Sequence, residues 1–159
     1  MKTKYTIGED KKTLIAERSF SAPVAKVWQA WTTQEMLEKW WAPLPYKAIT
    51  KSFDFKEGGE WHYYMQGPEG DIHWCLEEYE TIEPEKLFTA RDHFCDEQKN
   101  INSELPSNHW LVEFSEVDGV TTVLVTTTYA SEKDLETVSQ MGMKEGFDMG
   151  LNQLEALLA

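Results

Sequence analysis

Basic residues are scarce in this chain: 15 lysines and arginines stand against 28 aspartates and glutamates, a formal net charge of −13. Phosphate backbones and anionic lipid heads are bound by Lys and Arg that displace counterions, so neither nucleic acid nor a membrane surface is an expected partner. Cysteine is rarer still. Cys75 and Cys95 make neither a CxxC pair nor a disulfide framework, and two buried thiols in a reducing cytoplasm are the expectation. No run approaches the roughly 20 apolar residues that cross a bilayer. The opening MKTKYTIGEDKKT lacks the apolar stretch of about 7–15 residues that marks a signal peptide. A cytoplasmic location follows as the expectation. Repeats, low-complexity tracts and Pro- or Ser-rich linkers are missing too, so residues 13–159 read as one domain behind a polar tail at 1–12.

Apolar and aromatic residues are plentiful, at 41% and 13%, which excludes a disordered chain. Thr13 to Phe20 reads as a strand. Ala22-Pro23 stops it and opens a helix, where Val24, Val27, Trp28 and Trp31 fall on one face. A second short helix follows, with Thr32-Thr33-Gln34-Glu35 as a capping box and Pro43 and Pro45 as its end. Strands are predicted at 46–55, 60–66, 71–82, 86–94, 109–117 and 120–129, with residues 95–108 a polar loop. One long helix, about Glu132 to Leu158 and capped by Ser131, closes the chain.

The two hairpins predict which residues share a face. A two-residue turn at Asp118-Gly119 pairs Val117 with Val120, Phe114 with Val123, Val112 with Val125 and Trp110 with Thr127. A turn at Gly67 to Gly70 sets Gln66 opposite Asp71, and so Met65 with Ile72, Tyr63 with Trp74 and Trp61 with Leu76. His62, Tyr64, His73 and Cys75 then take the opposite face, and the aromatic face is the interior. On the final helix Leu135, Val138, Gly142, Gly146, Met149, Gly150, Leu154 and Leu157 share one broad side, with Lys144, Asp148 and Glu155 opposite. Strand, two short helices, six strands and a long helix make an α+β plan, a curved antiparallel sheet of six to seven strands gripping one helix.

Motifs in this order carry a resemblance: Arg18 and Phe20 before Ala22-Pro23, Val27-Trp28, Trp31-Thr32, Lys39-Trp40-Trp41 with Pro43, and Asp54 ahead of Gly58-Gly59 and Trp61. Gly67-Pro68-Glu69-Gly70, Ile82-Glu83-Pro84, Lys86-Leu87, Asp118-Gly119, Gly142, Gly146, Leu154 and the terminal Leu-Ala continue it. The chain resembles the START/SRPBCC helix-grip superfamily, of the type related to the C-terminal domain of the heat-shock-ATPase activator Aha. The resemblance implies the helix-grip fold, and members that range over small-molecule binders, polyketide cyclases, stress proteins and partner-binding domains of chaperone regulators. The activator's other domain, which makes much of its chaperone contact, has no room in this chain.

Cavity-lining candidates come from the aromatic face: Trp28, Trp31, Trp40, Trp61, Tyr63 and Met65, and from the later strands Trp74, Glu78, Trp110, Val112 and Phe114. Trp40 and Trp41 diverge by about 100° on their helix, so the two are not expected to point inward together. Gly142, Gly146 and Met149 add the helix side of the cavity. Each glycine inside a helix costs about 1 kcal/mol against alanine, so the stripe serves either close packing or a void for a ligand. Acid–base candidates are Arg18, Glu17, Asp54, Glu77, Glu78, Glu80, Asp92, Glu113 and the four histidines, of which Glu78 shares the parity expected of the interior. His62 and His73 lack a carboxylate at ligand spacing, the hydroxyls lack a base, and Gly58-Gly59 opens no helix. No metal, cofactor or catalytic set is therefore predicted. The leading expectation is a binding protein for a small hydrophobic or amphipathic molecule, as monomer or homodimer. The alternatives are a module that docks on a chaperone, and a cavity enzyme of the cyclase or hydrolase kind.

Overall fold

Eight strands and four helices follow one another along residues 2–159, the part described by the computed structural model. They are β1 (Lys4–Ile7), β2 (Thr13–Phe20), α1 (Val24–Thr32), α2 (Gln34–Trp40), β3 (Lys47–Phe53) and β4 (Glu60–Gln66). Then come β5 (Ile72–Glu83), β6 (Leu87–Phe94), β7 (Asn108–Val117), β8 (Val120–Tyr129), α3 (Glu132–Gln140) and α4 (Met143–Leu158). The strands form one sheet in the order β1-β2-β8-β7-β6-β5-β4-β3, antiparallel throughout. α1 and α2 carry the chain from β2, next to one edge, to β3 at the other. This is the α+β helix-grip plan, with one strand more than expected.

The extra strand is β1. Residues 4–7, expected within a polar tail, pair with β2 from Lys4↔Glu17 to Ile7↔Leu14. Four residues with one large aromatic carry too little alternation to announce a strand; the edge of β2 supplies the template.

At Asp118-Gly119 both residues take positive φ, 51° and 78°, the primed turn whose twist fits a two-residue hairpin. All four predicted β7–β8 pairs hold. The β4–β5 pairing is displaced by one residue. Gly67 N–H donates to Asp71 O at 2.9 Å and Gly70 sits at φ 86°, so the loop proper is Pro68-Glu69-Gly70. A three-residue loop with glycine in the left-handed position brings Gln66 opposite Ile72, Tyr63 opposite Cys75 and Trp61 opposite Glu77. Because strand side chains alternate, that slip moves every β5 residue to the other face. His73, Cys75, Glu77 and Tyr79 share the interior side with Trp61 and Tyr63, while Trp74, Leu76 and Glu78 face outward.

The long final helix is two helices. Gly142 takes φ 84° and its N–H donates to Ser139 O at 3.1 Å, so it ends α3 as a left-handed C-terminal glycine and precedes α4. Ser131 caps α3 as expected, accepting from Asp134 N–H at 3.1 Å. The proposed capping box of α2 does not form: Thr33 sits at the N-cap, but its hydroxyl donates to Gln29 O and that of Thr32 to Trp28 O. α4 is also rotated from the expected wheel. Gly150, Leu151, Leu154 and Leu158 are its buried residues, whereas Met149 is 45% exposed. Lys144 and Asp148, expected to face away, meet Tyr5 of β1, and Asp148 and Glu155 approach Arg18 of β2.

The core is aromatic and lies under α1 and α2. Trp31 has its ring 4.8 Å from Trp40 and 6.2 Å from Phe114, and Trp28 lies 5.1 Å from Phe114, all edge-to-face. Such pairs add about 0.5–1.5 kcal/mol each beyond the area they bury. This end of the interior face is solid.

Candidate functional site

At the other end of the same face the packing opens. A pocket of about 360 Å³ lies between the sheet and the α3–α4 joint. Broken at Gly142, the helical layer there presents Val138, Met141, Met143, Gly146 and Phe147, none of them charged. Trp41, the residue that ends α2, forms a side wall with Trp110 and Phe147, whose rings lie 5.8 and 6.5 Å from its own. Trp41 Nε1–H donates to Tyr63 Oη at 2.8 Å, and Tyr63 stacks on Trp61 at 3.8 Å, which fixes the floor.

One polar cluster interrupts this apolar lining. Asp92 on β6 and Asn108 on β7 are paired residues that both line the pocket, next to Cys75 and Tyr129. Glu77 of β5 stands directly across from Asp92 and is 4% exposed. Burial raises the pKa of Asp92 to about 7, held back in part by Asn108. Burial first, and then the Asp92 charge, push Glu77 well above the usual carboxylate range. Among the described residues no lysine or arginine lines the pocket or forms an ion pair with either carboxylate. Asn108 Oδ1 and the Trp110 indole N–H are buried without a hydrogen-bond partner. Beside the lining residues Tyr46 and His73, Asp71 accepts from Tyr46 at 2.6 Å and lies 3.1 Å from His73, and these contacts hold its carboxyl below the ordinary value.

Residues 21–159 match the family described as Activator of Hsp90 ATPase homolog 1-like protein. The chain belongs to that family. No curated protein matches it. Among solved structures, protein Ms6760 from Mycobacterium smegmatis is 34% identical over 99% of this chain and 96% of its own, with a TM-score of 0.90. A Staphylococcus epidermidis protein is 33% identical over 96% and 93%, with a TM-score of 0.84. An Arthrobacter aurescens protein is 28% identical over 98% and 90%, with a TM-score of 0.91.

In this member of the Activator of Hsp90 ATPase homolog 1-like family, the residues singled out from sequence separate into three groups. Tyr63, Met65, Trp110 and Gly146 come together around the pocket. Trp28, Trp31, Trp40, Trp61, Val112 and Phe114 lie in the aromatic core beside it, off its surface. Trp74, Glu78, Gly142 and Met149 are elsewhere. Trp74 packs on the outer face against Tyr64 and His62, at 4.7 and 4.8 Å. Glu78 meets His93 there at 2.7 Å, and both displacements follow from the one-residue slip of β5. Gly142 is the helix break, and the rotation of α4 turns Met149 to solvent. Trp40 and Trp41 both turn inward, with rings 5.3 Å apart, because α2 is enclosed on two sides: Trp40 packs on Trp31 of α1, and Trp41 on Trp61 and Trp110 of the sheet and Phe147 of α4.

His62, expected outside, is fully buried although it does lie on the outer face. The loop 95–102 folds over it, with Asp96 O 3.0 Å from its Nε2. Sequence reasoning set Trp41 aside in favour of Trp40, missed Asn108, Tyr129 and Phe147, and named Asp92 without placing it. A signal for Asp92 and Asn108 existed: they share parity with Ala90 and Trp110 on neighbouring strands.

Proposed function

We propose that this protein binds a small hydrophobic or amphipathic molecule between the sheet and the α3–α4 joint. The pocket itself carries the reading: about 360 Å³, apolar over most of its wall, with a few polar groups gathered at one place. Sites for small ligands have this make-up, with volumes of about 300–1,000 Å³. The free thiols Cys75 and Cys95 accord with a cytoplasmic setting. Titration with Nile red, an uncharged apolar dye, tests the proposal. Saturable one-to-one binding with a blue-shifted emission is expected, and the absence of saturable binding refutes it.

The cavity-enzyme reading loses the residues first put forward for it. Glu78 is on the outer face, and Arg18 is spent on Asp148 and Glu155 at the far end. Docking on a chaperone rests on the family's description alone. A protein that took no dye but bound the chaperone would favour it.

A further inference from the structure

Resting on the binding reading above, we infer that the pocket's ligand is an amphipathic amine, whose ammonium group seats between Asp92 and Asn108 while its apolar body lies against Trp41, Trp110 and Phe147. Two acceptors at the polar end of the pocket lack a cationic donor among the described residues, and the one lining donor left without a partner there is the Trp110 indole N–H, which carries no charge. Asp92 brings a carboxylate, and Asn108 Oδ1, on the neighbouring strand, has no partner although buried. Glu77 lies across from Asp92 and adds a second carboxyl behind it. The cation that would balance them is missing from the pocket lining among the described residues.

Elsewhere on this face the fold does balance its charge. Arg18, 3% exposed, lies 3.4 Å from Glu155 and 4.0 Å from Asp148, and donates to Thr3 Oγ1 at 3.1 Å. A half-buried carboxylate without a cation is costly, and a bound ammonium repairs that in three ways. It pairs with Asp92, it donates to Asn108 Oδ1, and it is attracted to the faces of aromatic rings. A fatty acid or other anion meets the reverse situation, two carboxyls and no cation. Asp71, which accepts from the lining residue Tyr46, adds a further ionised carboxylate beside the pocket.

The experiment uses the purified full chain and three molecules of one shape: 2-naphthylethylamine, 2-naphthylethanol and 2-naphthylacetic acid. Isothermal titration at pH 8 should rank the amine at least tenfold tighter than the alcohol, with the acid weakest. Asp92→Asn should bring the amine down to the alcohol's affinity and leave the alcohol nearly unchanged. Asn108→Ala, which keeps the carboxylate, should weaken the amine several-fold and serves if the first variant does not fold. An alcohol or acid that binds as tightly as the amine overturns the inference, and so does an amine preference that survives Asp92→Asn or, where that variant does not fold, an amine affinity that Asn108→Ala leaves unchanged. Nile red run in parallel separates the two levels. Dye binding with no preference for the amine leaves the pocket standing and removes the amine; no binding of dye or of any of the three removes both.

Discussion

Arg18 and Asp92 both project from the interior face of one sheet, and the chain treats them differently. Around Arg18 the edge strand β1 and the helix α4 close in, and two carboxylates and a threonine answer the guanidinium. Around Asp92 the helical layer is broken and small, and what faces the carboxyl is another carboxyl, an amide and aromatic rings. The packing divides along the same line, solid tryptophan and phenylalanine under α1 and α2, hollow under α3 and α4. The difference is one of charge rather than of hydrogen bonding, since Arg18 Nε and Nη2 and Trp31 Nε1 are also buried without a hydrogen-bond partner. The guanidinium has opposite charges beside it, and the Asp92 carboxyl has none among the described residues.

The sharpest way to break this division is to delete one large side chain from each half. Trp31→Ala, in the solid half, should cost about 3–5 kcal/mol because it empties a well-packed site. Met65→Ala, on the pocket wall, should cost under about 1.5 kcal/mol, since part of its surroundings is already void. Urea titration of the two variants compares them, and equal losses would erase the distinction.

The unanswered carboxyl should show in the pH dependence. Asp92 moves from an ordinary 3.8 to about 7 in the folded protein, so the native state holds this proton longer than the unfolded chain. Its contribution is complete below the ordinary carboxylate pKa and is lost as pH rises through about 7, on the order of 1–3 kcal/mol. Glu77 and Cys75 from β5, Tyr63 from β4 and Tyr129 from β8 face it, all held toward their neutral forms by burial, so Glu77 adds to the same slope. Asp71 and Asp96, lowered by hydrogen bonds, work in the opposite sense at lower pH. The difference between the wild type and Asp92→Asn isolates the effect. The variant should gain on the wild type between pH 4 and pH 7, and parallel curves would contradict the account.

Three glycines sharpen the comparison further. Gly150→Ala places a Cβ 3.2 and 3.3 Å from the carbonyl oxygens of Trp40 and Trp41, backbone that yields little, so a loss of about 1 kcal/mol or more is expected. Gly142→Ala forces a left-handed residue and should cost about 1–2 kcal/mol. Gly146→Ala meets only Pro43 Cγ at 3.7 Å and should gain up to about 1 kcal/mol from helix propensity. Thermal denaturation of the three reads the signs.

The fold was legible in the chain because its signals are local and mutually consistent. Alternation in 120–129, the Asp118-Gly119 turn and Ser131 before a helical run each name their structure without help from the rest. The site was legible only in part, for reasons equally physical. Facing along β5 depends on whether its turn holds three residues or four, and Gly67 and Asp71 decide that through one backbone hydrogen bond. A one-residue difference exchanges Glu77 for Glu78 and Cys75 for Trp74. Gly142 fits a helical wheel as well as it fits a helix break, and periodicity cannot choose between them. β1 exists through its pairing with β2, a contact made in space rather than announced in KYTI.

Gly146→Leu tests the central claim most directly, since it puts a large apolar side chain beside the pocket on a helix that otherwise gains from losing glycine. The account predicts a rise in melting temperature together with loss of Nile red binding. A variant that is destabilised, or that binds the dye as the wild type does, would contradict it.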